Sequence, residues 1–228
     1  MQKLIVVPAR GGSKGIPGKN IYPVNGKPLL AYTLELIQNA GLVDADVVVS
    51  TDSDAIKKVA SEFIGVTIID RPADISGDTA STESALLHAL DYMTNLNGKE
   101  YDYVITLQAT SPLRKVETLK KIIATFEAEY PKYDALLSLN EDRSDFWHKC
   151  TDGSFERLNK NASRRRQERE PLYIENSAYY LTDVKALKMT QSVLGTSVNG
   201  FVISDLEAVD INEMRDIYIA EGIMRAMN

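Results

Sequence analysis

Cysteine is almost absent from this 228-residue chain: Cys150 stands alone. One thiol excludes an intrachain disulfide and suits a reducing compartment; its plain reading is an ordinary buried or half-buried side chain. Histidine is nearly as scarce. His88 falls in a helical stretch and His148 in a polar one, and neither has the partners of a catalytic triad. No apolar run approaches the roughly twenty residues of a membrane span, and Leu4–Val7 is too short for a signal-peptide core. The expected location is therefore the cytoplasm. A surplus of positive charge is also missing. Lys and Arg number 26 against 32 Asp and Glu, for a net charge of −6 and a pI near 5.1. That balance argues against nucleic-acid or membrane partners, so any anionic substrate must meet local cations.

Enough apolar material remains for a sizeable core, since hydrophobic residues make up 44% of the chain. The length suits one α/β domain with a small appendage. Short β-rich runs alternate with amphipathic stretches. Leu4–Val7, Val47–Ser50, Val66–Ile69, Tyr103–Leu107 and Asp134–Leu139 read as strands. Between them, Leu29–Ala40 reads as a helix with Leu30, Leu34 and Ile37 on one face and Gly41 as its stop. Asp52 is expected to cap a helix running to Phe63. Thr82–Met93 and Val116–Glu129 complete the alternation. Crossovers of this length imply a mostly parallel sheet with helices on both faces and ligands beyond the strand carboxyl ends.

After Asn140 the pattern breaks. Residues 141–176 are polar and charged, but Phe146, Trp147, Phe155, Leu172 and Tyr173 need somewhere to bury. The segment reads as an arm or small subdomain of a domain formed by 1–140 and 177–228, and as a contact for a second copy of the chain. Alternation returns at Ser177–Leu181 and Phe201–Ile203, and Glu213–Met227 closes the chain as a helix.

The chemistry concentrates at the first turn, Pro8-Ala9-Arg10-Gly11-Gly12-Ser13-Lys14-Gly15-Ile16-Pro17-Gly18-Lys19-Asn20. A Walker loop is excluded because Lys19 is followed by Asn rather than Ser or Thr, and no G-x-G-x-x-G occurs. Glycine-rich turns are common, and a plain strand-to-helix connection is the alternative. Yet Arg10, Lys14 and Lys19 place three cations within ten positions, over backbone N–H groups of Gly11, Gly12 and Ser13. Such a cradle suits a polyphosphate.

The order of motifs resembles the CMP-sialic acid synthetase (acylneuraminate cytidylyltransferase) family. Ala9–Gly15 with Lys19-Asn20 carries the first match. Ser50–Ser53, Arg71–Asp74, Ser76–Thr82, Leu107–Arg114, Arg166-Gln167, Glu175–Tyr180 and Val209–Asn212 follow in sequence. The resemblance implies a Rossmann-like nucleotidyltransferase with a protruding dimerisation arm, acting as a homodimer on CTP and an acidic nine-carbon sugar. It implies in-line attack of the sugar's anomeric hydroxyl on the α-phosphate of CTP, with Arg10, Lys14 and Lys19 neutralising the phosphates and no enzyme nucleophile. It places Asn20, Arg71, Ala80 and Thr82 at the nucleotide. Asn20 can offer a donor and an acceptor to a cytosine edge, and an Asx-turn at the loop end is an equal alternative. For Asp78-Thr79 the plain alternative is a helix N-cap. Gln108, Lys149, Arg166 and Tyr180 are implied at the sugar, with Arg166 pairing its carboxylate. Asp210 and Asn212 fall where the family carries Asp-x-Asp for Mg²⁺, with Mn²⁺ as a substitute; Asn212 removes one expected charge and predicts a weaker or displaced ion. Asp216 reads as a helix-face residue, with a helper to the metal pair as the alternative. The acceptor stays open among sialic, legionaminic and pseudaminic acids. Activation of the eight-carbon acid Kdo is the nearest enzymatic rival, and an idle CTP- or CMP-sugar-binding regulator is the rival of another class.

Overall fold

The computed structural model describes residues 1–227. Strand β1 (Lys3–Pro8) leads through the glycine-rich turn and a 3-10 turn at Lys19–Ile21 into a two-residue-a-side hairpin, β2 (Pro23–Val24) and β3 (Lys27–Pro28). Helix α1 (Leu29–Ala40), β4 (Ala45–Thr51), α2 (Asp54–Ala60), β5 (Val66–Asp70), α3 (Thr82–Asn97), β6 (Tyr103–Thr106) and α4 (Val116–Glu129) follow. Then come β7 (Ala135–Asp142), the small hairpin β8 (Trp147–Lys149) and β9 (Phe155–Arg157), β10 (Leu172–Asp183), α5 (Val184–Thr190), β11 (Val198–Val202) and α6 (Met214–Met227).

Seven strands form one sheet in the order β11-β7-β10-β6-β1-β4-β5. All run parallel except β10, which is antiparallel to both β6 and β7. The mostly parallel sheet expected from the β–α alternation is therefore present. Its strands are apolar on both faces, as burial between two helical layers requires. Ile5 and Val7 of β1 pack into one core with Leu30, Leu34 and Ile37 of α1 and Phe126 of α4. Leu4 and Val6 face the opposite core, with Leu86 and Leu90 of α3 and Leu187 of α5. A third cluster joins α6 to the turn and its hairpin through Ile16, Val24, Ile211 and Ile217.

Several local expectations need correction. Asp52 does not cap α2: the helix starts at Asp54 with Ser53 at the N-cap, and it ends at Ala60 rather than Phe63. Asp52 instead accepts the Gly11 N–H at 2.7 Å. Ser81, not Asp78 or Thr79, caps α3, its side chain accepting from the Ser84 N–H. Helix α5 and the hairpin β2–β3 carry no mark in the sequence, and the hairpin β8–β9 lies within the segment expected to form a hairpin arm or small subdomain.

The segment read as an arm begins inside β7 and ends inside β10. Their ladder runs outward as Leu139–Asp142 against Leu172–Glu175, and its register shifts between Glu175 and Tyr180. Ser177 sits there at φ 59°. Buried Asn176 accepts from Ser138 Oγ at 2.6 Å, and Ser138 Oγ accepts the Tyr179 N–H at 3.0 Å. These bonds satisfy the backbone where the ladder is interrupted.

Candidate active site

The carboxyl ends of β1, β5 and β6 open on one cleft of about 380 Å³. This is where a parallel α/β sheet splays its connections apart. The first turn supplies one wall. Gly11 and Gly15 are required there by close approach rather than by backbone angle. A Cβ on Gly11 would meet Ser53 Cβ at 2.9 Å, and one on Gly15 would overlap the backbone oxygen of Asn212. The turn is thus pressed between the end of β4 and the segment before α6.

The cations of the turn are held by acceptors before any ligand arrives. Arg10 donates to the Gly77 carbonyl at 2.9 Å and to Asp78 Oδ1 at 3.1 Å. Lys14 reaches Asp78 Oδ2 at 3.1 Å. One carboxylate therefore bridges two cations, and their hydrogen bonds and charge, Lys14 foremost, hold Asp78 below the ordinary carboxylate range. Lys19 points the other way, donating to the Ile211 carbonyl at 2.9 Å and to Asn212 Oδ1 at 3.3 Å. Burial draws its ammonium below the ordinary lysine value, with Arg10 adding to the effect and Asp210 and Asp216 opposing it.

Arg71 is buried, its Nε donating to Ser50 Oγ at 3.1 Å and its Nη2 to the Ser50 carbonyl at 2.7 Å. Burial lowers its pKa, Asp52 opposes this and Arg10 adds to it. Asn20 is buried, and its amide donates to the Arg10 carbonyl at 2.8 Å. That bond spans the whole turn rather than closing a local Asx-turn, and Asn20 still lines the cleft. Ala80 and Thr82 line it at the N-terminus of the sixteen-residue α3, whose first N–H groups favour negative charge.

Gln108 lines the cleft just past β6. Its backbone is fixed by Arg114, which donates to the Gln108 carbonyl at 2.6 Å, the Ala178 carbonyl at 2.8 Å and Thr33 Oγ1 at 2.5 Å. Full burial pushes the Arg114 pKa down to about 10. Arg114 ends the Leu107–Arg114 match, and its sequence position alone gives it no role; buried among three acceptors, it ties the end of β6 to α1 and β10 beneath the cleft.

Ten anticipated residues line the cleft: Arg10, Ser13, Lys14, Lys19, Asn20, Arg71, Ala80, Thr82, Gln108 and Asn212. Gly11 and Gly12, expected at the nucleotide, are not among the residues that line it, and Gly12 is exposed. The Gly11 N–H is already engaged by Asp52, whereas space around Gly12 is open to 4 Å. Lys149 and Arg166 do not enter the cleft of their own chain. Both are exposed on the arm, Arg166 in a 3-10 turn. Tyr180 is buried in β10 with its hydroxyl on Glu175 Oε1 at 2.5 Å, outside the lining.

Asp210 and Asn212 do face each other. Asn212 Nδ2 donates to Asp210 Oδ2 at 2.7 Å, while Asp210 Oδ1 is buried with no hydrogen-bond partner among the described residues. A buried, unpaired carboxylate oxygen is costly unless something binds it, which fits a cation ligand. Asn212 fits less well, because Lys19 already occupies its carbonyl oxygen. Asp216 does not enter this pair; it accepts the N–H groups of Asn212 and Glu213, both at 2.9 Å, at the start of α6.

A family model described as cytidylyltransferase matches residues 4–218. A pseudaminic acid cytidylyltransferase of Campylobacter jejuni (serotype O:23/36, strain 81-176) is 31% identical, over 97% of this chain and 95% of its own. An N-acylneuraminate cytidylyltransferase of Streptococcus agalactiae serotype V is 27% identical over 96% of this chain and 52% of its own. A solved CMP:2-keto-3-deoxy-manno-octonic acid synthetase complexed with CTP superposes with a TM-score of 0.66 over the full length of both chains. Its 15% identity makes that a likeness of fold.

Proposed function

The chain belongs to the cytidylyltransferase family and is a nucleotidyltransferase, and we propose that it transfers CMP from CTP to a nonulosonic acid, releasing pyrophosphate. The observation that carries this reading is the set of cations around the cleft, three from the first turn and one at Arg71, in a chain of net negative charge. The anomeric hydroxyl of the acid sugar attacks the α-phosphorus and pyrophosphate departs in line. Arg10 and Lys14 exchange Asp78 for phosphate oxygens as the nucleotide enters. Lys19 sits on the Asn212 side, and the N-terminus of α3 takes further negative charge. Asn20 and Arg71 line the base end, where the free carbonyl of Asn20 can accept from the exocyclic amine of cytosine. Asp210 would hold Mg²⁺, or Mn²⁺ in its place, and the ion would neutralise phosphate charge when bound.

Recognition of the acceptor is assigned to Gln108 in the cleft and to Arg166 and Lys149 on the arm. Since those two cations stand away from the cleft of their own chain, the reading includes a homodimer in which the arm meets a second copy. Exposed Phe146, Trp147, Phe155, Leu172 and Tyr173 on the arm support it. Sedimentation at micromolar concentration is expected to give a dimer, and a monomer would remove this part. Pseudaminic acid is the first acceptor to assay, because the relative above 30% identity carries that name; N-acetylneuraminate, legionaminic acid and Kdo complete the panel. Pyrophosphate release from CTP with one nine-carbon acid is expected. Release with Kdo alone would reassign the acceptor, and release with none would favour an idle nucleotide-binding regulator.

A further inference from the structure

The hairpin at the tip of the arm has two unlike faces. In its antiparallel register Trp147 lies opposite Arg157, His148 opposite Glu156 and Lys149 opposite Phe155. Side chains alternate across a strand, so Trp147, Lys149, Phe155 and Arg157 share one face. The reverse face carries His148 and Glu156, with Cys150 two positions beyond His148. A ring nitrogen of His148, the sulfur of Cys150 and a carboxylate oxygen of Glu156 all lie within 4.8 Å of one another. His148 Nε2 stands 3.7 Å from Cys150 Sγ. Ordinary Zn–S and Zn–N bonds at a tetrahedral angle hold such a pair about 3.6 Å apart. Imidazole and thiol are therefore already at chelating separation.

We propose that His148, Cys150 and Glu156 form a transition-metal site of the Zn²⁺ type, distinct from the cleft. Sulfur and nitrogen ligands select against Mg²⁺ and Ca²⁺, which prefer oxygen, and one carboxylate completes a three-ligand set with a fourth position open to water. The thiol gives its proton to solvent on binding. In the unliganded hairpin Glu156 pairs with Lys160, 2.9 Å from Oε2. That pair is exposed, so exchanging Lys160 for a metal costs little.

The ion has a structural task at this place. A two-stranded ribbon of three residues a side is marginal in water. Its turn is closed by the Cys150 N–H to the Ser154 carbonyl at 2.8 Å and the Gly153 N–H to the Cys150 carbonyl at 3.0 Å. A metal linking the turn to both strands would fix the hairpin. It would also fix Lys149, which lies between two ligands and projects from the opposite face.

The test is titration of the chelator-treated full-length protein with Co²⁺, followed by Zn²⁺. The expected result is a thiolate-to-cobalt charge-transfer band that saturates at one Co²⁺ per chain. Zn²⁺ should abolish it and millimolar Mg²⁺ should leave it unchanged. His148→Ala and Glu156→Gln are expected to weaken Co²⁺ binding at least about ten-fold, the lower bound for disturbing a ligand set. Circular dichroism checks that these exposed substitutions leave the fold intact. Absence of the band with Co²⁺ in large excess would overturn the proposal. So would unchanged affinity in both variants, which indicates a solitary thiol, or saturation at half an equivalent, which indicates a metal shared between chains.

Discussion

Replacing Gly15 by alanine tests whether the first turn and the segment before α6 are one mechanical unit. Gly15 is not at positive φ, so alanine meets no backbone penalty there. What it meets is the Asn212 backbone oxygen, at a distance no Cβ tolerates. The obstacle is main chain and is tied down at Ile211 before it and at Glu213 after it, whose N–H donates to Asp216 Oδ2 at 2.9 Å. The Ile211 N–H donates to the Thr110 carbonyl at 2.8 Å, and the Ile211 carbonyl accepts Lys19 Nζ at 2.9 Å. Roughly 1 Å of separation is needed to restore van der Waals contact, and the segment cannot yield it without lengthening one of those bonds. Overpacking of this kind costs about 1–3 kcal/mol, and a rigid obstacle places it near 2 kcal/mol. For a chain of this size that is a fall in Tm of about 4–8 °C. The same separation draws Lys19 away from Asn212, so CTP affinity should fall as well. Gly12→Ala is the matched control: its Cβ has nothing within 4 Å and its N–H is retained. It should stay within about 0.5 kcal/mol of the parent. Thermal melts and CTP titration of the two variants give the comparison. A Gly15→Ala protein that melts and binds like Gly12→Ala would refute the mechanical link.

Three further outcomes are expected. Arg10→Ala should lower turnover by about 10²–10³, the usual cost of losing one charged donor at a reacting phosphate, while stability stays within about 0.5 kcal/mol; wild-type kinetics would remove Arg10 from the site. Lys19 has a folded pKa below 10.5 because burial disfavours its charge. As pH rises through that value the folded chain sheds a proton the unfolded chain keeps, so folding stability rises across the window while CTP affinity falls. Lys19→Arg should shift the alkaline loss of affinity to higher pH, and an unshifted limb would assign it to another group. Asn212→Asp should let activity saturate at lower Mg²⁺, and an unchanged metal titration would count against that position as a ligand.

Helix α1 could be read to the residue because its apolar positions recur at the helical period and Gly41 marks its end, and α4 also has the expected bounds. The direction of β10 could not. Ser177–Leu181 is a short, mostly apolar run that is buried on both faces, and nothing local tells a chain whether it will run with β6 or against it. Helix α5 has seven residues, too few for a period to emerge. The site divides along the same line. Arg10, Lys14, Lys19 and Asn20 are legible because they crowd one turn. Gln108 follows from its place at a strand end, and Arg71 from the family resemblance alone. Asp78 falls within the Ser76–Thr82 match, but its bridging of Arg10 and Lys14 was not legible, since those partners lie 68 and 64 positions away and only the packing of α3 against β1 brings them together.

Those partnerships explain how an acidic chain can present a cationic cleft. Three of the cations come from the first turn and one from the end of β5, and each rests on an acceptor of the protein: Arg10 and Lys14 on Asp78, Lys19 on the Ile211 carbonyl, Arg71 on Ser50. Unheld, four such groups would repel one another and spread into solvent, and a ligand would have to gather them. Held, they keep their spacing, and an entering polyanion need only displace one half-exposed carboxylate. The carbonyls and the Ser50 hydroxyl carry no net charge, so they orient Lys19 and Arg71 without neutralising them. Asp78 is the exception, and its bridging position makes it the group whose departure exposes two positive charges together.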